Sequence, residues 1–374
     1  MDALRDHPEV LYGAVAAFVI VILLTPAVGG MARLIGVVDR PDSRRLNVNP
    51  IPRLGGLAIF FGIFVPALAF LELGRETRGV LLGAAVATVV GAIDDFRALK
   101  PGRKLVGQIV AASIPPFFGV WIDHFTFPFF GPVDLPAGVG MPLTVLWIVA
   151  VMNMVNFLDG MDGLAAGVCA IAGITYAVLA LSLGKIDPAV LSAIIAGACI
   201  GFLRHNFFPA RIFMGDSGAL VLGFLLAAVS VQGLLKTAST VVLFLPLLVL
   251  AVPILDTSFV VARRLKHRQP LSAPDQAHLH FRFLRRGFSQ RRAAVTMWAW
   301  CATLAGAALA TRFIPFREGG HWHLPETFAV AAIALVALAF SLYVVYVLEI
   351  VKLNNPRRFR RREEPAAGSD RRTA

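Results

Sequence analysis

Apolar runs about as long as a bilayer is thick alternate with short polar stretches along almost the whole chain. They give eleven candidate spans, at 9–32, 54–72, 79–96, 104–122, 142–157, 164–183, 189–204, 217–235, 239–262, 293–314 and 325–351. A hydrocarbon core of about 30 Å takes roughly 20 helical residues to cross. Backbone groups in lipid must be satisfied within the segment, so runs of this kind fold as helices. Span five is short and runs into a polar stretch, which leaves ten as the alternative count. Phe125, Phe127 and Phe129 alternate and Gly131 follows, the pattern of a small interfacial hairpin. The pattern therefore predicts an all-α polytopic integral membrane protein of about 10–11 transmembrane helices. Residues 1–351 read as one transmembrane domain and 352–374 as a basic, disordered tail.

Composition agrees: mean hydropathy is +0.73 and only 16% of residues are charged, outside the soluble globular range. Cys169, Cys199 and Cys301 all fall inside spans, so no disulfide framework is indicated. The first span is too long for a signal-peptide core and follows the acidic flank "MDALRDHPEV", as a retained helix with its N-terminus outside would. Charge fits that orientation. With the N-terminus out, 28 of the 35 Lys and Arg residues fall on inward loops and the tail. Positive charge marks the cytoplasmic face, so the expected topology is N-out, C-in, with the hairpin on the periplasmic side.

The dense polar clusters then share one face. "GAIDDFRAL" puts Asp94 and Asp95 in the last turn of span three, where anionic groups oppose the helix dipole by about 0.3–1 kcal/mol each. A cation or a basic partner accounts for them better than a solvated loop start. "NMVNFLDGMDG" spaces Asn153, Asn156 and Asp159 at i, i+3, broadly on one helix face, with Asp162 beyond. Asp162 could simply cap span six, but one cap does not need four polar groups. In "FMGDSG", Asp216 or Ser217 would serve as an N-cap; alternatively, a carboxylate at that helix start could hold a magnesium–diphosphate group. His278 and His280 lack the cysteines or third histidine of a zinc site and sit among Arg282, Arg285 and Arg286, as anion-binding groups would.

Taken together, the motifs resemble those of the polyprenyl-phosphate N-acetylhexosamine-1-phosphate transferases, and more closely the undecaprenyl-phosphate N-acetylglucosaminyl-1-phosphate transferase branch. The matching residues are Asp39-x-Pro41 with Arg44, Pro50-x-Pro52 with Gly55-Gly56, Asp94-Asp95, Asn153 to Gly163, Phe213-Met214-Gly215-Asp216, and His278-x-His280. The resemblance implies transfer of a sugar-1-phosphate from a UDP-N-acetylhexosamine to undecaprenyl phosphate in the bacterial inner membrane. UMP is released, and the step is the first membrane step of a cell-surface polysaccharide pathway. It implies Mg2+, with Mn2+ as a substitute, held by Asp216 with Asn156 as second ligand. Asp94 and Asp95 would stand at the lipid phosphate, and Lys104 would contact phosphate. Phe213 would stack on uracil and Asp162 contact uridine, while His278, His280 and Arg282 line the sugar-phosphate side. Asp159 counts among the catalytic residues, and Asn153 and Arg44 among those that bind substrate. The basic tail "RRFRRREE" reads as an anchor that touches anionic membrane lipid; a homodimer is the oligomer considered, and no nucleic-acid partner is expected. Two positions depart from the pattern: Phe281 stands where the branch usually has a further histidine, and Asn47 where the first loop often has one. The phospho-muramoyl-pentapeptide branch typically has three consecutive histidines, which "HLHF" lacks. An ion-coupled transporter, the competing class, would keep carboxylates near mid-membrane, whereas these lie at the inner edge.

Overall fold

The computed structural model describes residues 2–39, 50–127, 131–235, 247–266, 279–315, 317–318 and 321–348. After a short helical turn, Asp2–Asp6, the chain forms α1 (Glu9–Leu34), α2 (Gly55–Phe70), α3 (Arg75–Arg97), α4 (Pro101–Phe117), α5 (Ala137–Leu158) and α6 (Leu164–Ser182). There follow α7 (Ile186–Asn206), α8 (Gly215–Val229), α9 (Ala251–Lys266), α10 (Leu279–Arg285), α11 (Gln290–Phe313) and α12 (Leu324–Val347). A helix stands at each expected span, although part of the ninth, 239–246, lies outside the described residues. Eight helices among the described residues are long and apolar enough to cross a membrane, and α2 and the Ala251–Val261 part of α9 are shorter apolar helices. The protein is a multi-pass, all-α membrane protein.

Span five is longer than its hydrophobic run. Gly138, Gly140 and Pro142 read as loop in sequence, yet α5 starts at Ala137. Its first turns are held by packing: a Cβ on Gly140 would stand 2.2 Å from the Ile122 carbonyl oxygen. The expected hairpin forms from β3 (His124–Phe127) and β4 (Gly131–Asp134), antiparallel, with Phe127 opposite Gly131. Shorter pairs join β1 (Val38–Asp39) to β2 (Ile51–Pro52) and β5 (Arg317–Glu318) to β6 (His321–Trp322). The expectation for the tail, 352–374, lies outside the described residues.

Helix α8 is the hub. Of its most apolar window 89% is buried, against 11% for α12, whose apolar surface is left for lipid. Around α8 stand α2, α3 and α5, and the approach is close because the facing residues are small. A Cβ on Gly56 of α2 would lie 2.0 Å from the Gly218 nitrogen, and one on Gly91 of α3 would lie 2.5 Å from the Asp216 carbonyl oxygen. Lipid gives helices no hydrophobic reason to associate, so such contact and interhelical hydrogen bonds hold the bundle. Successive helices alternate in direction. The ends of α1, α3, α5 and α7 therefore meet the starts of α2, α4, α6 and α8 at one end of the bundle.

Candidate active site

At that end the loop before α8 is stitched into its neighbours. Phe213 N–H donates to the Pro52 carbonyl (2.8 Å), and the Phe213 and Met214 carbonyls accept from Gly55 N–H (2.9 Å) and Gly56 N–H (2.7 Å). Asn206 ties the same loop to the start of α6: its Oδ1 accepts from Gly163 N–H at 3.0 Å and its Nδ2 donates to the Ile212 carbonyl at 3.0 Å. Gly215, at φ 70°, takes the left-handed turn that opens α8 and leaves Asp216 in its first turn.

Three oxygens from three helices gather on one ammonium group. Lys104 Nζ of α4 lies 3.0 Å from Asp94 Oδ2 of α3, 3.0 Å from Asp216 Oδ1 of α8 and 3.1 Å from Asn156 Oδ1 of α5. Asn156 Nδ2 also donates to Asp216 Oδ1. Asp94 Oδ1 accepts from Leu99 N–H at 2.5 Å, just past the end of α3. Beside it, Asp95 Oδ1 accepts from Asp216 N–H (2.8 Å), while its Oδ2 accepts from Ser217 N–H (3.0 Å) and Ser217 O–H (2.8 Å). Arg53 Nη2 stands 4.0 Å from Asp95, and Arg53 Nη1 stands 3.8 Å from Asp39. Helix α8 has no cap from its own side chains. Asp216 and Ser217, the caps expected from sequence, lie inside the first turn, and the capping acceptor comes from Asp95 on α3.

Asp159 is the residue that ends α5, half-buried. Burial pushes its carboxyl well above the usual range, and the charges of Asp216 and Asp95 push the same way while Arg53 opposes them. Asp162 does not cap α6, whose N-cap is Gly163. Its Oδ2 accepts from Ala210 N–H at 2.9 Å; burial raises its pKa and that hydrogen bond opposes the rise.

The other expected residues are placed differently. Asn153 sits one turn before Asn156 in α5, in a reciprocal amide pair with Gln108, at 3.0 and 3.3 Å, and also donates to the Val149 carbonyl at 2.8 Å. Phe213 is half-buried within the stitched loop. The Arg282 guanidinium lies 4.2 Å over the Phe259 ring and donates to the Leu348 carbonyl at 3.5 Å. Arg44 and His278 lie outside the described residues, as does the side chain of His280, whose backbone belongs to α10. Sequence reasoning missed Arg53, Asn206 and Gln108. Each left a signal: Arg53 and Asn206 lie in polar stretches beside apolar spans, and Gln108 is a polar residue inside one.

This donor set suits a hard divalent cation. Carboxylate and amide oxygens are the ligands magnesium prefers, and they already converge on a positive charge. Among the described residues no three His, Cys, Asp or Glu side chains close on one point, so Asp94, Asp216 and the Asn156 amide are the candidates. Carboxylates, an amide and a lysine gathered at one end of a helical bundle are a donor set suited to a metal-bound phosphate beside lipid.

The family described as Glycosyl transferase family 4 matches residues 77–234. The chain is 39% identical to a probable undecaprenyl-phosphate N-acetylglucosaminyl 1-phosphate transferase of Bacillus subtilis over 290 residues, covering 76% of this chain and 81% of the relative. It is 35% identical to the decaprenyl-phosphate N-acetylglucosaminephosphotransferase of Mycobacterium leprae over 340 residues, 83% of this chain and 85% of the relative. A phospho-N-acetylmuramoyl-pentapeptide-transferase of Desulforudis audaxviator is 33% identical over 340 residues, 80% of this chain and 97% of the relative. The chain belongs to glycosyl transferase family 4, among the polyprenyl-phosphate N-acetylhexosamine-1-phosphate transferases.

Proposed function

We propose that the protein moves N-acetylglucosamine-1-phosphate from its UDP-sugar to undecaprenyl phosphate, with Mg2+ as cofactor and the site toward the cytoplasm in the bacterial inner membrane. The observation that carries this reading is the meeting of Asp94, Asp216 and Asn156 on Lys104. The N-acetylglucosamine assignment is favoured by the names of the relatives from Bacillus subtilis and Mycobacterium leprae.

An oxygen of the lipid phosphate attacks the β-phosphorus, the bond from that phosphorus to the UMP oxygen breaks, and a lipid-linked diphospho-sugar leaves with UMP. A phosphate monoester has its second pKa near 6, so the nucleophile is already mostly dianionic at neutral pH. The main demand is charge neutralisation and in-line alignment. A divalent ion held by Asp216, with Asn156 as second ligand, would offset the charge of the diphosphate. Lys104 reaches the same point and supplies a mobile positive charge to the phosphates. Asp94, anchored by Leu99 N–H and paired to Lys104, positions that lysine and takes up a residual proton only if one remains.

UMP release by the purified protein, supplied with undecaprenyl phosphate, Mg2+ and a panel of UDP-N-acetylhexosamines, tests the reading. Release is expected with UDP-N-acetylglucosamine and absent without the lipid phosphate; release from none of the panel overturns the proposal. Asp94→Asn retaining more than about a tenth of wild-type turnover would rule out an essential base there, since that role is worth about 10²–10⁴ in rate.

A further inference from the structure

Of the carboxylates at the site, Asp95 is the one closed to everything outside the protein. Its side chain has 0% exposed surface, against 8% for Asp94 and 20% for Asp216. Both oxygens are taken up by three donors from two consecutive residues, Asp216 N–H, Ser217 N–H and Ser217 O–H. A carboxylate so enclosed has no face to offer a phosphate or a metal ion. It does hold the peptide that carries Asp216.

The joint is built for that. Gly91 and Asp95 are one turn apart on α3 and share a face. Gly91 has no side chain where a Cβ would meet the Asp216 carbonyl at 2.5 Å, so α3 lies directly against the start of α8. Gly215 likewise has no Cβ, which would stand 2.6 Å from both Asp95 oxygens. The first turn of α8, lacking a cap of its own, is clamped onto α3 by these hydrogen bonds. From that clamped peptide the Asp216 side chain reaches the other way, to Asn156 and Lys104.

We infer that Asp95 is a positioning residue: through the backbone of Asp216 and Ser217 it sets the direction of the Asp216 carboxylate for the cation, and it does not touch the lipid phosphate. This rests on the proposed role of Asp216 in metal binding. It separates Asp95 from its neighbour Asp94, with which the sequence paired it.

The test uses the full chain in detergent, titrated with Mn2+ and followed by electron paramagnetic resonance, alongside the KM for each substrate and the Mg2+ requirement of UMP release. Asp95→Asn puts an amide N–H against a backbone donor and is expected to weaken Mn2+ binding by about 10–100-fold, as loss of an outer support of a ligand does. Ser217→Ala removes one of the three donors and is expected to weaken binding by a smaller factor, roughly threefold, the size of one modest net hydrogen bond. In both, half-maximal turnover moves to higher Mg2+ while the KM for undecaprenyl phosphate stays at its wild-type value. Asp216→Asn is the reference for a lost ligand. Wild-type Mn2+ affinity in Asp95→Asn, or a raised KM for the lipid phosphate instead, overturns the inference. Should Asp95→Asn not fold, Ser217→Ala decides alone, and wild-type affinity there overturns it. Absence of a saturable Mn2+ signal in the unmodified protein also overturns it. Failure to release UMP with the Mn2+ pattern intact sinks the transferase reading and leaves the positioning role standing.

Discussion

Lys104 and Asp216 meet across two helices, Nζ 3.0 Å from Oδ1, and the same ammonium group stands 3.0 Å from Asp94 Oδ2. A lysine thus lies where carboxylate and amide oxygens of three helices converge, and the divalent cation proposed there would act on the same carboxylates.

Lys104→Met leaves Asp94 and Asp216 facing one another without a counter-charge. In metal-free buffer this variant is expected to lose stability on the order of 3 kcal/mol, as when one partner of a buried pair is removed. Added Mg2+ binds the folded state and restores stability by mass action. The rise in melting temperature from chelator to Mg2+ is therefore larger in the variant than in the wild type, and equal rises in the two would disprove the coupling. Turnover falls because the diphosphate loses its lysine.

Asn153 and Asn156 share a face of α5 but are expected to respond differently to truncation. Asn153→Ala breaks a helix-to-helix amide pair with Gln108, worth about 0.6 kcal/mol on the average for such bonds in membrane proteins. A double-mutant cycle with Gln108→Ala measures that coupling, while KM for the UDP-sugar stays near its wild-type value. Asn156→Ala instead lowers turnover by about tenfold or more, the usual effect of disturbing a metal's surroundings. A large KM change in Asn153→Ala would show that its amide serves substrate.

The raised carboxyl of Asp159 ties stability to pH in a defined direction. A folded-state pKa above the ordinary carboxylate value means the folded protein holds a proton that the unfolded chain has released. That contribution is fully present below the ordinary value and is lost as pH rises through the raised one. Asp159→Asn removes it, so the variant's melting temperature falls less than the wild type's over that window. Parallel curves would refute the shift. If ionised Asp159 is needed for turnover, the acidic limb of the wild-type rate profile moves in the same variant.

Gly56→Ala forces a methyl group to 2.0 Å from the Gly218 nitrogen, a backbone atom that cannot move without shifting α8. Overpacking of this kind costs about 1–3 kcal/mol, and because α8 carries Asp216, turnover should fall with it. Gly30→Ala on α1 meets nothing within 4 Å and serves as the neutral control. Equal melting temperatures for the two variants would contradict the packing described.

Much of the fold was legible because lipid imposes one rule on every span: twenty or so apolar residues, all backbone groups satisfied within the helix. That rule located the helices without any knowledge of their neighbours, and the alternation of Phe125, Phe127 and Phe129 before Gly131 located the hairpin. It failed at the start of α5, where Gly138, Gly140 and Pro142 mimic a loop and only packing against Ile122 shows otherwise. The polar residues of the site were equally visible, since each stands out at the edge of an apolar run. Their division of labour was not.

Asp94 and Asp95 are chemically identical neighbours in the chain, and nothing in their order says which one faces a cation. Side chains one residue apart on a helix diverge by about 100°, so one is aimed at Lys104 and the other at the backbone of α8. Asn153 and Asn156 share a face and both meet α4, but one turn apart along it, where the first finds Gln108 and the second finds Lys104 and Asp216 of α8. Residue types and their place near the membrane rim are properties of the chain by itself. Which oxygen meets which donor depends on how closely the helices approach, and that distance is decided by the glycines between them once the bundle has formed.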